Sequence, residues 1–114
     1  MVSKALIAAS TKPLILAILK QGENYGYRII QTVREISGGE LDWSEPMLYP
    51  VLRRLERDGL VKSKWNITAS GRLRKYYRLT ARGHEELEKE ESQWLTVHAT
   101  FFRVLDAARS AAKG

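Results

Sequence analysis

Five basic side chains and no acidic one lie between residues 66 and 83. They are Arg72, Arg74, Lys75, Arg78 and Arg82. Five glutamates follow at once, at positions 85, 86, 88, 90 and 91. Cations without neighbouring carboxylates suit the phosphates of a nucleic acid, whereas the glutamate block repels them. The sequence therefore predicts that the basic segment contacts nucleic acid and that the acidic block faces away from it.

A second group with suitable chemistry lies just upstream. Ser44, with Glu45 and Pro46 behind it, has the residue types of a helix start. A helix fits the major groove of DNA, and its first turns reach deepest. We therefore expect DNA contacts from this helix by Ser44, Pro46, Met47, Tyr49, Pro50, Arg53 and Arg54.

These side chains differ in the contact that each can make. Ser44, or the free N–H groups beside it, can hold a phosphate. Pro46 and Pro50 can touch thymine methyl groups, and Arg53 and Arg54 suit phosphates or a guanine edge. The alternative is that Arg53, Arg54 and a third arginine, Arg57, only form a solvated face paired with Glu56 and Asp58.

The basic segment itself contributes the second set of expected DNA contacts. Its tip, Gly71 to Lys75, has no carboxylate nearby in the sequence. Gly71, Arg72, Arg74 and Lys75 are therefore predicted to meet phosphate.

Helical periodicity predicts three helices before the basic segment. Leu14, Ile15, Ile18 and Leu19 form an apolar stripe. Pro13 either occupies the first turn of this helix or kinks a longer helix that begins at about residue 3, and we favour the longer helix. A second helix is predicted to be capped by Asn24, to bury Ile29, Ile30, Val33 and Ile36, and to end at residues 37–39. The third is capped by Ser44, buries Leu48, Val51 or Leu52, and Leu55, and ends at residues 58–59.

Two strands and a last helix complete the predicted order. Residues 60–65 and 75–79 read as strands around a polar, glycine-containing tip. Only one of Tyr76 and Tyr77 can face the core, and of Tyr25 and Tyr27 one is expected to pack while the other reaches a phosphate. Thr80 is predicted to cap a helix over residues 81–108.

The predicted fold is mainly α with a small β-hairpin (α+β), a winged helix-turn-helix followed by one C-terminal helix. We divide it into a DNA-binding part, residues 1–80, and a dimerisation helix, residues 81–114. Leu87, Trp94, Phe101 and Ala108 recur every seven residues in that helix, which predicts a pairing face. The expected dimer interface consists of Leu6, Leu87, Trp94, Val97, Phe101, Val104, Leu105 and Ala108.

Composition limits the other function classes. The chain has 114 residues, a net charge of +6, no cysteine and two histidines, so we predict no metal site and no cofactor. The apolar stretch at residues 5–9 is too short for a signal peptide or membrane span, which favours a cytoplasmic protein without membrane contact. No catalytic arrangement stands out, so an enzyme is not expected.

Several segments together resemble the PadR family of transcriptional regulators. They are Tyr25-Gly26-Tyr27, the run from Leu48 to Glu56, Asp58-Gly59-Leu60 and the run from Arg74 to Thr80. The resemblance covers roughly residues 12 to 105, and the short C-terminal part is similar to the compact LmrR-like subclass of multidrug-responsive repressors. It implies a homodimeric repressor on an inverted repeat, with DNA contacts at Tyr25, the third helix and the wing.

The resemblance also implies an effector site at the dimer interface. Trp94 lies where LmrR-like members carry a tryptophan that stacks on flat aromatic ligands, and Ala9, Pro13, Val97 and His98 complete the expected site. Pro13 and His98 depart from the pattern of drug-binding members. Trp94 therefore has two interpretations, a dimer-core residue or a ligand-stacking one. The rival to the whole assignment is a winged helix that only binds proteins.

Overall fold

The computed structural model describes residues 1–113 and has a mainly α, α+β fold, as predicted. In chain order it contains α1 (Lys4–Lys20), β1 (Asn24–Tyr25), α2 (Gly26–Ile36), α3 (Glu45–Arg57), β2 (Val61–Ile67), β3 (Leu73–Leu79) and α4 (Ala81–Lys113). We call β2, β3 and the turn between them, residues 61–79, the wing. The winged helix-turn-helix therefore forms as expected, with one additional strand.

The first helix runs unbroken through its proline. Ser3 caps it by accepting a hydrogen bond from the Leu6 N–H at 3.2 Å, and Pro13 lies inside the helix. This confirms the longer of the two first helices that the sequence allows. Ile15, Leu16, Ile18 and Leu19 are buried, and Leu14 packs against them from the edge.

The sequence did not predict β1, and the expected cap at Asn24 is wrong. Asn24 and Tyr25 are extended and pair antiparallel with Tyr77 and Tyr76 of β3. The sheet therefore has three strands in the order β1-β3-β2. The second helix starts at Gly26 and has Tyr25 as its N-cap, one residue later than an Asn24 cap implies, because this segment is used for pairing.

Two helix ends lie where their glycines predict. The backbone of Gly38 and Gly39 adopts positive φ angles of 63° and 86° after α2, and Gly59 has φ 77° after α3. Glycine adopts these angles without strain, so it ends helices readily. Both turns direct the chain back across the same core.

The core lies between the first three helices and the inner face of the sheet. Ile29, Ile30 and Val33 are buried as predicted, and Leu52 rather than Val51 occupies the central position of α3. Ile36 is 75% exposed, so its predicted burial is wrong. It is the last residue of α2, and within residues 1–113 its side chain is left largely uncovered.

The last helix begins as predicted and then extends beyond the rest of the molecule. The Thr80 hydroxyl oxygen accepts from the Gly83 N–H at 3.0 Å, which caps α4. Leu87 is buried, whereas almost every residue from 91 to 112 is exposed. With 33 residues the helix is about 50 Å long, which accounts for a molecule measuring 64 × 29 × 21 Å.

Candidate nucleic-acid interface

The N-terminal end of α3 is held by the Ser44 cap and by the buried residue that precedes it. The Ser44 Oγ accepts from the Met47 N–H at 3.3 Å, and the preceding Trp43 is buried in the core. Pro46 and Pro50 are both exposed on the first turns, with Arg53 beyond them. The helix start is therefore held rigidly against the core while its outer face is open.

The three arginines of α3 do not pair with their own helix. Within residues 1–113, no carboxylate lies within 4.0 Å of Arg53, Arg54 or Arg57, and all three are exposed. Glu56 faces the wing instead, where its Oε2 accepts from the Ser63 hydroxyl at 2.6 Å. The interpretation of these arginines as an internally paired face is therefore wrong, and their charge is available to a partner.

Two residues that we expected on the exposed reading face are half-buried. Met47 packs at the edge of the core and shares a groove with Ile7 and Thr11 of α1. Both Met47 and Tyr49 lie on the flanks of α3, because Leu48 and Leu52 face inward between them. The exposed residues of α3 are thus Glu45 at its start, two prolines and three arginines.

Tyr49 is held against the start of α2. A Cβ added to Gly26 would lie 2.6 Å from the Tyr49 Oη, so the ring occupies the space that the glycine leaves. Burial raises the pKa of the Tyr49 hydroxyl, and the Glu45 carboxylate raises it further. The hydroxyl is therefore neutral near pH 7 and can only exchange hydrogen bonds.

The wing tip is an ordered turn. The Gly71 N–H donates to the Thr68 carbonyl at 2.9 Å, and the Arg72 N–H donates to the Thr68 Oγ1 at 3.1 Å. Gly71 has φ 83°, which a side chain would strain. Arg72 follows on the exposed side, and within residues 1–113 no carboxylate is within 4.0 Å of it.

The other two cations that we predicted at the wing tip, Arg74 and Lys75, have partners within the protein. Lys75 Nζ lies 3.9 Å from Glu56 Oε1, so the expectation that no carboxylate is near the tip is wrong for Lys75. The Arg74 guanidinium lies 5.3 Å from the Tyr25 ring centroid and 5.9 Å from that of Tyr27. No local pattern in the sequence predicts the contact between Lys75 and Glu56, because 18 residues lie between them.

The sheet determines which tyrosine of each pair, Tyr25 and Tyr27 or Tyr76 and Tyr77, is the more buried. Tyr77 is buried, and Tyr76 packs edge-on against Tyr25 with ring centroids 5.3 Å apart. Tyr27 is the more exposed of the first pair. Only Tyr77 of its pair faces the core, as predicted, and Tyr25 is the packed member of the other pair and lies beside Arg74.

Among the predicted interface residues, Leu87 is wrongly assigned. It is only 8% exposed because it packs into the core of its own chain. Leu105 is half-buried, and the remaining six predicted interface residues are exposed, namely Leu6, Trp94, Val97, Phe101, Val104 and Ala108. The expected effector residue His98 is exposed as well. Phe102 and His98 stack on each other at 4.8 Å between ring centroids.

The expected effector residues do not all share one site. Pro13 and Trp94 line a groove of about 340 Å³ together with Leu6 and Leu14, and the Trp94 Nε1 donates to Glu90 Oε2 at 3.2 Å. Val97 lies beside Trp94 in a separate, smaller depression. Ala9 and His98 line neither groove.

The described residues contain neither a metal site nor a membrane-spanning helix. Within residues 1–113, no three histidine or carboxylate side chains come together as a metal site. No helix in the same range has the length and apolar character needed to cross a membrane.

Several known proteins that are similar to this chain are transcriptional regulators. The family model described as the transcriptional regulator PadR-like family matches residues 15–89. The negative transcriptional regulator PadR of Bacillus subtilis is 31% identical over 87 residues, which are 76% of this chain and 46% of that protein.

Solved structures match over a larger share of their length. A PadR family transcription regulator from Clostridium difficile is 33% identical, with a TM-score of 0.75 over 84% of this chain and 98% of the other. A transcriptional regulator from Clostridium thermocellum is 26% identical, with a TM-score of 0.81 over 90% and 97%.

Proposed function

The chain belongs to the PadR-like family of transcriptional regulators, and from that premise we propose that it represses transcription as a homodimer on an inverted-repeat operator. Members of this family are regulators and not enzymes. The observation that carries the proposal is the outer face of α3, where three exposed arginines lack a carboxylate partner within residues 1–113. Such a protein acts on the chromosome, so we place it in the cytoplasm.

The two parts of the interface have different roles in this proposal. The first turns of α3 enter the major groove, where Pro46, Pro50 and Arg53 meet base edges. Ser44, Arg54, Tyr25 and the wing residues Gly71, Arg72, Arg74 and Lys75 bind the sugar–phosphate backbone and fix the register. Met47 and Tyr49 shape the helix from its flanks, because both are half-buried.

The proposed dimer is supported by α4. Val97, Phe101 and Val104 expose an apolar face on a helix that its own chain does not cover. A second copy of the helix would bury that face and place two α3 helices about 34–36 Å apart, one turn of DNA. Leu6, Trp94, Leu105 and Ala108 are the other residues that we assign to the contact.

We further propose that a planar aromatic molecule relieves repression at this interface, as in the LmrR-like subclass. The support is the groove that brings Pro13 of α1 beside Trp94 of α4. Ligand bound there would alter the angle between α1 and α4 and thereby the spacing of the two α3 helices. Ala9, Val97 and His98 are secondary members, because they lie outside this groove.

An electrophoretic gel-shift series tests DNA binding. Arg72→Ala removes one phosphate contact, so affinity should fall for all duplexes alike and the salt slope should weaken by about 1. Arg53→Ala should cost about 1–3 kcal/mol and change the preference among sequences. The wild-type log–log salt slope should be near −5 if about six phosphates are contacted.

Lys89→Ala is the matched control. It also removes one positive charge, but from the exposed acidic block of α4, so affinity should be unchanged. Absence of any shift with random duplex at low salt would instead favour a winged helix that binds only proteins.

A further inference from the structure

The wing has a second face, directed away from the core, that carries basic side chains. Val61 and Leu79 are opposite each other in the ladder, and both are buried. Neighbouring residues of a strand point to opposite faces, so the next pair, Lys62 and Arg78, points outward. Both side chains are exposed, as is Lys64, two residues along on the same face. We call these three residues the outer basic face.

The charges of Lys62 and Arg78 are not neutralised by carboxylates of the described chain. The two residues are directly opposite in the ladder, where like charges destabilise a sheet. Within residues 1–113, no carboxylate lies within 4.0 Å of either side chain. Glu23 contacts Lys64 instead, with 3.5 Å between its Oε2 and the lysine Nζ. An external anion would therefore relieve the repulsion between Lys62 and Arg78.

The outer basic face is separate from the operator contacts of the proposed function. Glu56 of α3 accepts a hydrogen bond from the Ser63 hydroxyl, on the core side of β2, so the strand lies between α3 and Lys62. Along the wing, Lys62 is about 17 Å from Ile67, where the pairing ends at the tip. A duplex bound to α3 and the wing tip therefore leaves this face open.

The spacing of the two lysines fits a nucleic-acid backbone. Residues two apart on a β-strand are about 7 Å apart, and two nucleotide steps of B-DNA also cover about 7 Å along the helix axis. The nearby ring of Tyr76 is not free for base stacking, because it packs edge-on against Tyr25. The face therefore suits the phosphates of a duplex and not unstacked bases.

We propose that the outer basic face binds the phosphate backbone of a duplex DNA segment other than the one read by α3. The segment comes either from a second DNA molecule, which the protein then bridges to the first, or from the bent flank of the same molecule. With one phosphate each on Lys62 and Arg78, this contact should weaken with a log–log salt slope of about −2.

A titration of the ¹⁵N-labelled full chain with a short random duplex examines both DNA surfaces in one nuclear magnetic resonance experiment. The backbone amide signals of Lys62 and Arg78 should shift once the duplex exceeds the amount that saturates α3. Shifts on α3 without shifts on the outer basic face would overturn the inference and leave the proposed function intact. Shifts on the outer basic face alone would contradict the proposed function and support the inference.

Two binding assays distinguish the sources of the DNA segment. In the first, beads that carry one duplex recover a second, labelled duplex through the protein. In the second, affinity is compared between a short duplex and one with long flanks. Bridging indicates a second molecule, and tighter binding to the long duplex indicates the flank. If the wild-type protein shows neither effect, the proposal is wrong.

The variant that tests the face combines Lys62→Gln with Arg78→Gln. It should reduce the bridging or the flank effect about tenfold and leave binding to a single short duplex unchanged. Lys89→Gln combined with Arg103→Gln is the matched control, because it removes one lysine and one arginine from exposed positions of α4. An effect that survives in the first variant, or that falls equally in the control, would overturn the proposal.

Discussion

At the scale of single residues, the contact between Gly26 and Tyr49 helps to set the position of α3. The glycine allows the Tyr49 ring to pack where a Cβ would lie 2.6 Å from its hydroxyl oxygen. Because Gly26 begins α2 and Tyr49 lies on α3, this one contact helps to fix the approach of the two helices. No local pattern in the sequence predicts this contact, because 22 residues separate Gly26 from Tyr49.

We predict that Gly26→Ala destabilises the protein by about 1–3 kcal/mol, because the methyl group displaces the tyrosine ring. Urea unfolding measures the change. In a Tyr49→Ala background the same substitution should cost almost nothing, and a cost that is equal in both backgrounds would contradict the contact.

The stability of the fold should depend on alkaline pH through the hydroxyls of two tyrosines, Tyr49 and Tyr77. Burial raises the pKa of Tyr77, and the nearby Glu56 carboxylate raises it further; burial likewise raises the pKa of Tyr49. A pKa that is higher in the folded state stabilises the fold fully below the unfolded value, about 10. That contribution is lost as the pH rises through the folded pKa.

We therefore expect wild-type protein to lose more stability than Tyr77→Phe does as the pH rises above about 10. All other side chains are the same in both proteins, so the difference isolates the tyrosine. Parallel curves of unfolding free energy against pH would show that the hydroxyl does not contribute.

At the scale of elements, one lysine joins the first and last helices. Lys12 Nζ lies 3.2 Å from Glu86 and 3.7 Å from Glu90, and the same Glu90 accepts from the Trp94 indole. Ion pairs thus join α1 to the first turns of α4 beside the Trp94 groove. The Glu90 carboxylate connects Trp94 with Lys12, so a displacement of Trp94 would also affect the contact with α1.

Lys12→Met should lower stability by up to about 1 kcal/mol, because the ion pairs are partly screened by water. The loss should shrink in high salt. Lys4→Met, on the first turn of the same helix and without a carboxylate within 4.0 Å in residues 1–113, should have no comparable effect in thermal unfolding. A salt-independent loss would point to packing instead.

Which elements the sequence could predict depended on how local their signals are. Ser44, Thr80 and the glycines after α2 and α3 act within a few residues, and each marks its helix end correctly. The strand at Asn24 exists only because β3 lies beside it, so no local pattern indicated it. The half-burial of Met47 and Tyr49 likewise depends on α1 and α2, which periodicity along α3 does not describe.

At the scale of the whole molecule, α4 determines how much apolar surface remains open. Its outer half exposes Val97, Phe101 and Val104 on one side and polar residues such as Thr96 on the other. Charge placed on the apolar side would have to be buried in the proposed dimer, at a cost of several kcal/mol.

Phe101→Glu should therefore convert the dimer to monomers in sedimentation or scattering measurements and weaken operator binding. Thr96→Glu adds the same charge on the opposite side and should leave the dimer intact. A Phe101→Glu protein that remains dimeric would show that α4 does not form the interface.

If α4 pairs as proposed, its exposed outer half also links the lifetime of the protein to its abundance. A second copy would then protect this helix end to a degree that rises with the number of copies present. In a cell holding few molecules, the uncovered end would fray and be cut by proteases. A scarce protein would be cleared quickly, whereas an abundant one would persist.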